Sequence, residues 1–169
     1  METGLILVIP EAEPVVRDLR ARLDPNAAAG VPAHITALYP FRPWEAVGPH
    51  VVETLEAVFR RTPPFELSFR TTARFPGVLW LQPEPREPID LLARRLTEAF
   101  PECSPYGGRY ADPAPHLTVA IQGNEGKLDR AEARLRRRLV RPFTARVETC
   151  ALYAKAGETW SERRRFRLG

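Results

Sequence analysis

Two short stretches of this sequence each carry a histidine followed two residues later by a threonine, inside a run that is otherwise apolar. They read Pro32-Ala33-His34-Ile35-Thr36-Ala37-Leu38 and Ala114-Pro115-His116-Leu117-Thr118-Val119-Ala120. The chain has only three histidines, and two of them fall in this pattern. Imidazoles titrate near neutral pH, and a pair of them can therefore act as general acid and general base. Two threonine hydroxyls beside them can donate hydrogen bonds to phosphate oxygens. This chemistry suits in-line displacement at phosphorus and requires no metal.

The residues around both motifs favour β-strands, since Ile35, Leu117 and Val119 are apolar and mostly β-branched. Residues two apart in a strand point to the same face of a sheet. Each histidine therefore shares a face with its own threonine, opposite the apolar residues. Such a polar face is expected to line a cleft, because a fully buried strand would have apolar residues on both faces.

The rest of the chain alternates between helical and extended patterns. We predict helices over 11–24, 45–61, 88–100 and 126–139, and strands over 3–10, 34–39, 65–74, 78–82, 115–121, 143–153 and 158–167. The order of elements around each His-x-Thr strand is the same, which indicates a weak internal repeat of 1–82 and 83–169 within one domain, 1–169. We therefore expect an α+β protein with a bilobal, pseudo-duplicated fold, in which two mostly antiparallel sheets with outer helices face each other across a central cleft.

Composition indicates a soluble, cytoplasmic protein, which we expect to be a monomer. The chain has 169 residues and 44% hydrophobic residues, enough to build a real core. Its N-terminal apolar run is too short for a membrane span. Cys103 and Cys150 are expected to be reduced structural thiols, because two cysteines make no disulfide framework. Residues 130–169 carry 12 basic and 4 acidic residues, a net charge of +8. This excess is compatible with a polyanionic partner and equally with a solvated surface in an arginine-rich protein.

Four further residues are candidates for binding a substrate. Tyr106 and Arg109 lie in a Gly-Gly segment just before the second motif, where a tyrosine could stack on a base and an arginine could approach phosphate. Tyr39 follows the first motif, and Tyr153 lies on a C-terminal strand. The alternatives are an ordinary turn for the first pair and core packing for the second.

With both His-x-Thr motifs on apolar strands 82 residues apart, the chain resembles the 2H phosphoesterase superfamily, and within it the 2′-5′ RNA ligase-like (LigT-type) branch. The resemblance covers most of the chain and implies a bilobal, duplicated fold. It implies metal-independent chemistry, with no cofactor, on 2′,3′-cyclic phosphate ends of RNA or nucleotides: hydrolysis, reversible 2′-5′ joining, or both. It makes His34 and His116 the catalytic pair and Thr36 and Thr118 the phosphate-binding residues.

Three other interpretations remain open from the residues alone. The two histidines could be structural, although a matched pair argues against this. They could bind zinc together with Asp112, but neither motif has a second close ligand. Finally, the protein could be a non-catalytic module of the same fold that binds RNA ends or nucleotides.

Overall fold

The computed structural model describes residues 1–121 and 124–169 and confirms the α+β class. The strands are β1 (Thr3–Val8), β2 (His34–Leu38), β3 (Phe65–Phe75), β4 (Val78–Glu84), β5 (Leu117–Ile121), β6 (Phe143–Val147), β7 (Thr149–Ala156) and β8 (Thr159–Arg167). The helices are α1 (Glu13–Leu23), α2 (Pro25–Ala28), α3 (Pro49–Arg60), α4 (Glu87–Ala99) and α5 (Glu125–Arg138), with 3₁₀ turns at Pro10–Ala12, Trp44–Ala46 and Pro105–Gly108.

The two His-x-Thr segments lie at the centre of the sheet. The strand order is β6-β3-β4-β5-β2-β1-β7-β8, and all the pairings are antiparallel. Strands β2 and β5 meet in the middle through a single register pair, Ile35 with Leu117. We predicted two sheets; the structure has two four-stranded halves joined by this one narrow pairing.

The segment predicted as one strand over 143–153 is in fact two strands. Only Glu148 separates β6 from β7, yet these strands pair in different halves, β6 with β3 and β7 with β1. Five strands stand between them in the sheet order. Because one residue can bridge only a few ångströms, the two halves must curl toward each other. Alternation in the sequence continues through Glu148 and therefore did not reveal this crossing.

The helices cover one face of each half-sheet. Helices α1 and α5 pack on the half that contains β5, and α3 and α4 pack on the half that contains β2. The apolar residues of the two central strands face these helices, and Ile35, Leu117 and Val119 are fully buried. The opposite face, with the histidines and threonines, is left open as a cleft.

Each half-sheet takes strands from both parts of the chain, because one half consists of β1, β2, β7 and β8 and the other of β3, β4, β5 and β6. The repeat of 1–82 and 83–169 therefore does not coincide with the two halves of the sheet, and as a statement of internal similarity it remains a prediction. In the part of the chain that the structure describes, no helix is long and apolar enough to cross a membrane.

Candidate active site

Both histidines are held in the same way by their own backbone. The Nδ1 of His34 lies 2.8 Å from the carbonyl oxygen of Pro32, and the Nδ1 of His116 lies 2.8 Å from that of Ala114. A carbonyl oxygen can only accept, so each Nδ1 carries the proton and donates it. Each Nε2 is therefore the nitrogen available for proton exchange. The two motifs thus present a pair of equivalent reactive nitrogens.

The motif threonines lie two residues after these imidazoles and line the same cleft. Thr36 pairs with Ile6 on β1, and Thr118 pairs with Trp80 on β4. Both threonines and both histidines are partly buried and line one cleft of about 320 Å³. His116 itself lies one residue before β5, since the predicted strand over 115–121 begins only at Leu117. Pro115 has no N–H to donate to the ladder, which explains the later start.

Aromatic side chains enclose His116. Its ring meets Phe75 edge-on at 5.2 Å and Trp80 at 5.9 Å, and it stacks on Tyr106 at 6.2 Å between ring centroids. Phe75 and Trp80 also stack on each other at 4.9 Å. These rings restrict the imidazole to one orientation and exclude water from one side of it.

The other wall of the cleft is built by Tyr39, Tyr153 and Trp160. Trp160 meets Tyr39 edge-on at 6.2 Å, and the Tyr39 phenol donates a hydrogen bond to Glu2. Tyr39 fits there because Gly4 leaves room: a Cβ at Gly4 would lie 3.1 Å from its ring. Tyr153 is 8% exposed and also lines the cleft. An apolar, ring-lined wall of this kind suits a planar base.

Burial acts on both imidazoles in the same direction but to different extents. It lowers the pKa of His34 to about 4, with Arg20 adding to the effect, while the bond to the Pro32 carbonyl and Asp24 oppose it. Burial also lowers the pKa of His116, opposed by the bond to Ala114. The free site therefore holds two neutral imidazoles at neutral pH.

The predicted substrate-binding residues do not all reach the cleft. Tyr39, Tyr106 and Tyr153 line it, and Thr36 lies beside the Tyr106 phenol, where it acts against the rise in the Tyr106 pKa that burial causes. Arg109 lies in the same loop, but its side chain is exposed and outside the cleft lining. Sequence patterns give the position of an arginine in a loop but not the direction of its side chain.

The predicted site left out several lining or enclosing residues, among them Asn26, Phe75, Trp80 and Trp160. Three are aromatic residues near the Gly turns of the two hairpins, at Gly77 and Gly157. Their clustering at hairpin ends was the available signal, but it could not indicate that both hairpins point to one cleft.

A wider groove of about 590 Å³ adjoins the cleft and shares Thr36, Tyr39 and Tyr106 with it. Its lining includes Arg94 of helix α4 and Arg86, the residue just before that helix. Because these residues line both spaces, the groove and the cleft are adjacent, and a long ligand could extend from one into the other.

A metal centre is not evident at the motifs. Within residues 1–121 and 124–169, no group of three or more His, Cys, Asp and Glu side chains is arranged to hold a metal ion. Asp112, which the zinc interpretation required, instead accepts a hydrogen bond of 2.8 Å from Arg86.

Known proteins with a similar sequence or structure identify the family. A family model described as the 2′-5′ RNA ligase superfamily matches residues 8–159. TT0787 of Thermus thermophilus has a similar structure, with a TM-score of 0.68, 19% identity and coverage of 99% of this chain and 98% of that one. E. coli LigT complexed with 3′-AMP gives a TM-score of 0.63 and 19% identity, with 99% and 97% covered. A structure described as a phosphoesterase gives 0.62 and 17%, with 99% and 98% covered. No curated protein matches the sequence significantly.

The fold, with its two central His-x-Thr segments, is that of the LigT-type 2H phosphoesterases, which confirms the resemblance inferred from the motifs. The family match spans most of the chain. This protein belongs to the 2′-5′ RNA ligase superfamily.

Proposed function

We propose that this protein is a metal-independent phosphodiesterase that opens 2′,3′-cyclic phosphate ends of RNA or nucleotides, and that it can join such an end to a 5′-hydroxyl through a 2′-5′ bond. One observation carries the proposal. Two imidazoles in one cleft each donate Nδ1–H to a backbone carbonyl, which leaves both Nε2 atoms to exchange protons with a substrate. We further propose that the protein acts on RNA ends in the cytoplasm and that it does so as a monomer.

In hydrolysis, the oxygen of a water molecule forms a bond to phosphorus as the bond to one ribose oxygen breaks. The neutral Nε2 of one histidine takes the water proton, and the protonated Nε2 of the other gives a proton to the leaving oxygen. Because its pKa is lowered to about 4, His34 is the harder of the two to protonate and stays neutral at pH 7, so we assign it as the base and His116 as the acid. In ligation a 5′-hydroxyl replaces the water.

The acid needs a proton that the free site does not hold at neutral pH. A bound phosphodiester brings a negative charge, and an anion beside an imidazole favours its protonated form. Substrate binding therefore raises the pKa of His116 at the moment the acid is required. Thr36 and Thr118 stabilise the charge on the non-bridging oxygens by hydrogen bonds.

The surroundings of the motifs favour a nucleotide ligand. Tyr39, Trp160 and Tyr106 supply aromatic rings to the lining of the cleft. E. coli LigT, whose fold is shared, has been solved with 3′-AMP. The groove beside α4 adds room beyond one nucleotide, which favours an RNA end over a mononucleotide.

The decisive experiment measures turnover of 2′,3′-cyclic AMP and of an RNA oligomer with a 2′,3′-cyclic phosphate end, with EDTA present. We expect His34→Gln and His116→Gln each to lower kcat by about 10²- to 10⁴-fold, the usual contribution of a general acid or base. His50→Gln, on the exposed start of α3, is the matched control and should keep wild-type kcat. Incubation with a 5′-hydroxyl RNA then tests for a 2′-5′ linked product.

Other results would identify other functions. RNA binding that weakens steeply with salt, without turnover, would establish the non-catalytic binding module. Activity that EDTA abolishes and zinc restores would overturn metal independence.

A further inference from the structure

A buried ionic network lies behind the first His-x-Thr motif. Arg20 and Asp24, at the end of α1, are 3% and 1% exposed and form an ion pair with a distance of 2.8 Å. Arg20 also lies 3.9 Å from the carboxylate of Glu13, which is 23% exposed. Such a pair adds little net stability to a protein, because removing two charges from water is costly. Its contacts with the backbone suggest another role.

The network holds the chain on both sides of the carbonyl that orients His34. Arg20 donates a hydrogen bond of 3.0 Å to the carbonyl of Val31, and Glu13 accepts one of 2.8 Å from the N–H of Ala33. The remaining backbone groups of both residues are also bonded: Val31 N–H to Asn26, and the Ala33 carbonyl to the N–H of Ile9. The Pro32 carbonyl, which accepts the hydrogen bond from His34 Nδ1, shares its planar peptide unit with the Ala33 N–H that Glu13 binds, and the preceding unit is held by Arg20 through the Val31 carbonyl.

The second motif lacks this support. Pro113 and Pro115 flank the Ala114 carbonyl and have no N–H to donate. Among the described residues, no side chain bonds to the backbone of 113–115 apart from His116 itself. Arg86 and Asp112, the nearest ion pair, are 40% and 79% exposed, and their hydrogen bond joins two side chains without reaching this backbone. His116 depends instead on the aromatic rings around it.

We infer that Arg20, Asp24 and Glu13 are positioning residues for His34: they fix the Pro32 carbonyl so that Nδ1 stays protonated and Nε2 faces the cleft. This inference rests on the proposed function for its kinetic consequence, but the state of the imidazole can be measured without activity. No residue of the network touches the reacting atoms.

Glu13 offers the cleanest test, because its side chain is partly exposed and its loss leaves no fully buried charge. Glu13→Ala removes the bond to the Ala33 N–H, and we expect kcat to fall about 10- to 100-fold with KM nearly unchanged, the effect of a misplaced catalytic group. Glu13→Gln keeps an oxygen acceptor and should restore most of kcat. Arg20→Lys keeps the charge but loses the fork that spans Asp24 and Val31, and it should resemble Glu13→Ala.

Arg17→Gln is the matched control. Arg17 lies on the same helix and approaches the other oxygen of Glu13 at 3.5 Å, but it is 77% exposed and has no bond to 31–34. We expect wild-type kcat for this variant.

The imidazole is followed by ¹⁵N NMR of the histidine ring nitrogens. We expect a protonated Nδ1 for His34 in the wild type and in Glu13→Gln, and a shift toward a mixture of tautomers in Glu13→Ala and Arg20→Lys. An unprotonated Nδ1 in the wild type overturns the inference whatever the variants do. So does a Glu13→Ala protein with wild-type kcat and tautomer. A wild-type protein with no turnover but these NMR shifts would refute the proposed function and leave the positioning role standing.

Discussion

At the scale of single residues, the two motifs share one hydrogen bond but differ in their surroundings. His34 is surrounded by a backbone that charged groups of α1 hold in place, and His116 by aromatic rings. Local sequence explains the common bond, because the acceptor lies two residues before the ring in both cases. The difference between the two environments comes from distant parts of the chain, and in the proposed mechanism it separates the base from the acid.

The lowered pKa of His34 makes the stability of the protein depend on pH. An unfolded histidine titrates near 6.5, and His34 in the folded protein titrates near 4, so the unfolded chain binds more protons between these values. The contribution is complete above about pH 6.5 and is lost as the pH falls toward 4, by ~3 kcal/mol in all. Urea unfolding from pH 7.5 to 4 measures it.

The His34→Gln variant isolates this effect, since it cannot take up the proton. We expect its free energy of unfolding to fall less than that of the wild type over the same range, by ~3 kcal/mol. Parallel curves for the two proteins would contradict the assigned pKa.

At the scale of elements, the loop between α2 and β2 is attached to the β7–β8 hairpin. The N–H of Trp160 donates a hydrogen bond of 2.7 Å to the carbonyl of Ala29, and Gly30 follows with a φ of +94°. A Cβ at Gly30 would lie 2.9 Å from the Trp160 carbonyl oxygen. This contact joins the loop that leads to His34 to the strand that carries Trp160, so one wall of the cleft depends on the absence of a side chain.

We expect Gly30→Ala to lower the free energy of unfolding by more than the ~1–2 kcal/mol that a left-handed backbone costs an L-residue, because it adds a collision with backbone. KM for the cyclic phosphate should rise as Trp160 moves. Gly157→Ala, in the hairpin turn at a φ of +60° with nothing within 4 Å, is the control and should show the backbone cost alone. Thermal unfolding and KM are the measurements, and equal effects of the two substitutions would show that the close contact is unimportant.

At the scale of the whole molecule, the site exists because two half-sheets meet at one pair of residues. Ile35 and Leu117 are fully buried, and each stands next to a catalytic candidate in the chain. The two half-sheets are also connected at the β6–β7 crossing, because β6 belongs to one half and β7 to the other. Packing at the junction therefore sets the spacing of His34 and His116.

Substitution of two equally buried leucines separates stability from site geometry. Leu117→Ala at the junction and Leu67→Ala within β3 should each cost about 2–5 kcal/mol, the usual effect of such a cavity. Only Leu117→Ala should also lower kcat, because it displaces the strand between His116 and Thr118. Urea unfolding measures the loss of stability, and kcat is compared at a temperature where both variants are folded. A proportional loss of kcat in both would mean that the junction has no special role.

The sequence by itself determined the four residues of the two motifs, the face they share, the α+β class and the family, since these follow from residue type and a spacing of two along a strand. It also located most helices and strands to within a few residues. Only the tertiary structure decided that 143–153 is two strands and that Trp160 lines the cleft while Arg109 is exposed outside it. It also decided that Phe75 contacts His116 and that Arg20 and Glu13 bind the backbone just before His34. The physical reason is that periodicity records which side of an element is buried. Periodicity does not record which distant element packs against that side. Those contacts are determined by the curl of the sheet, which exists only in the folded chain.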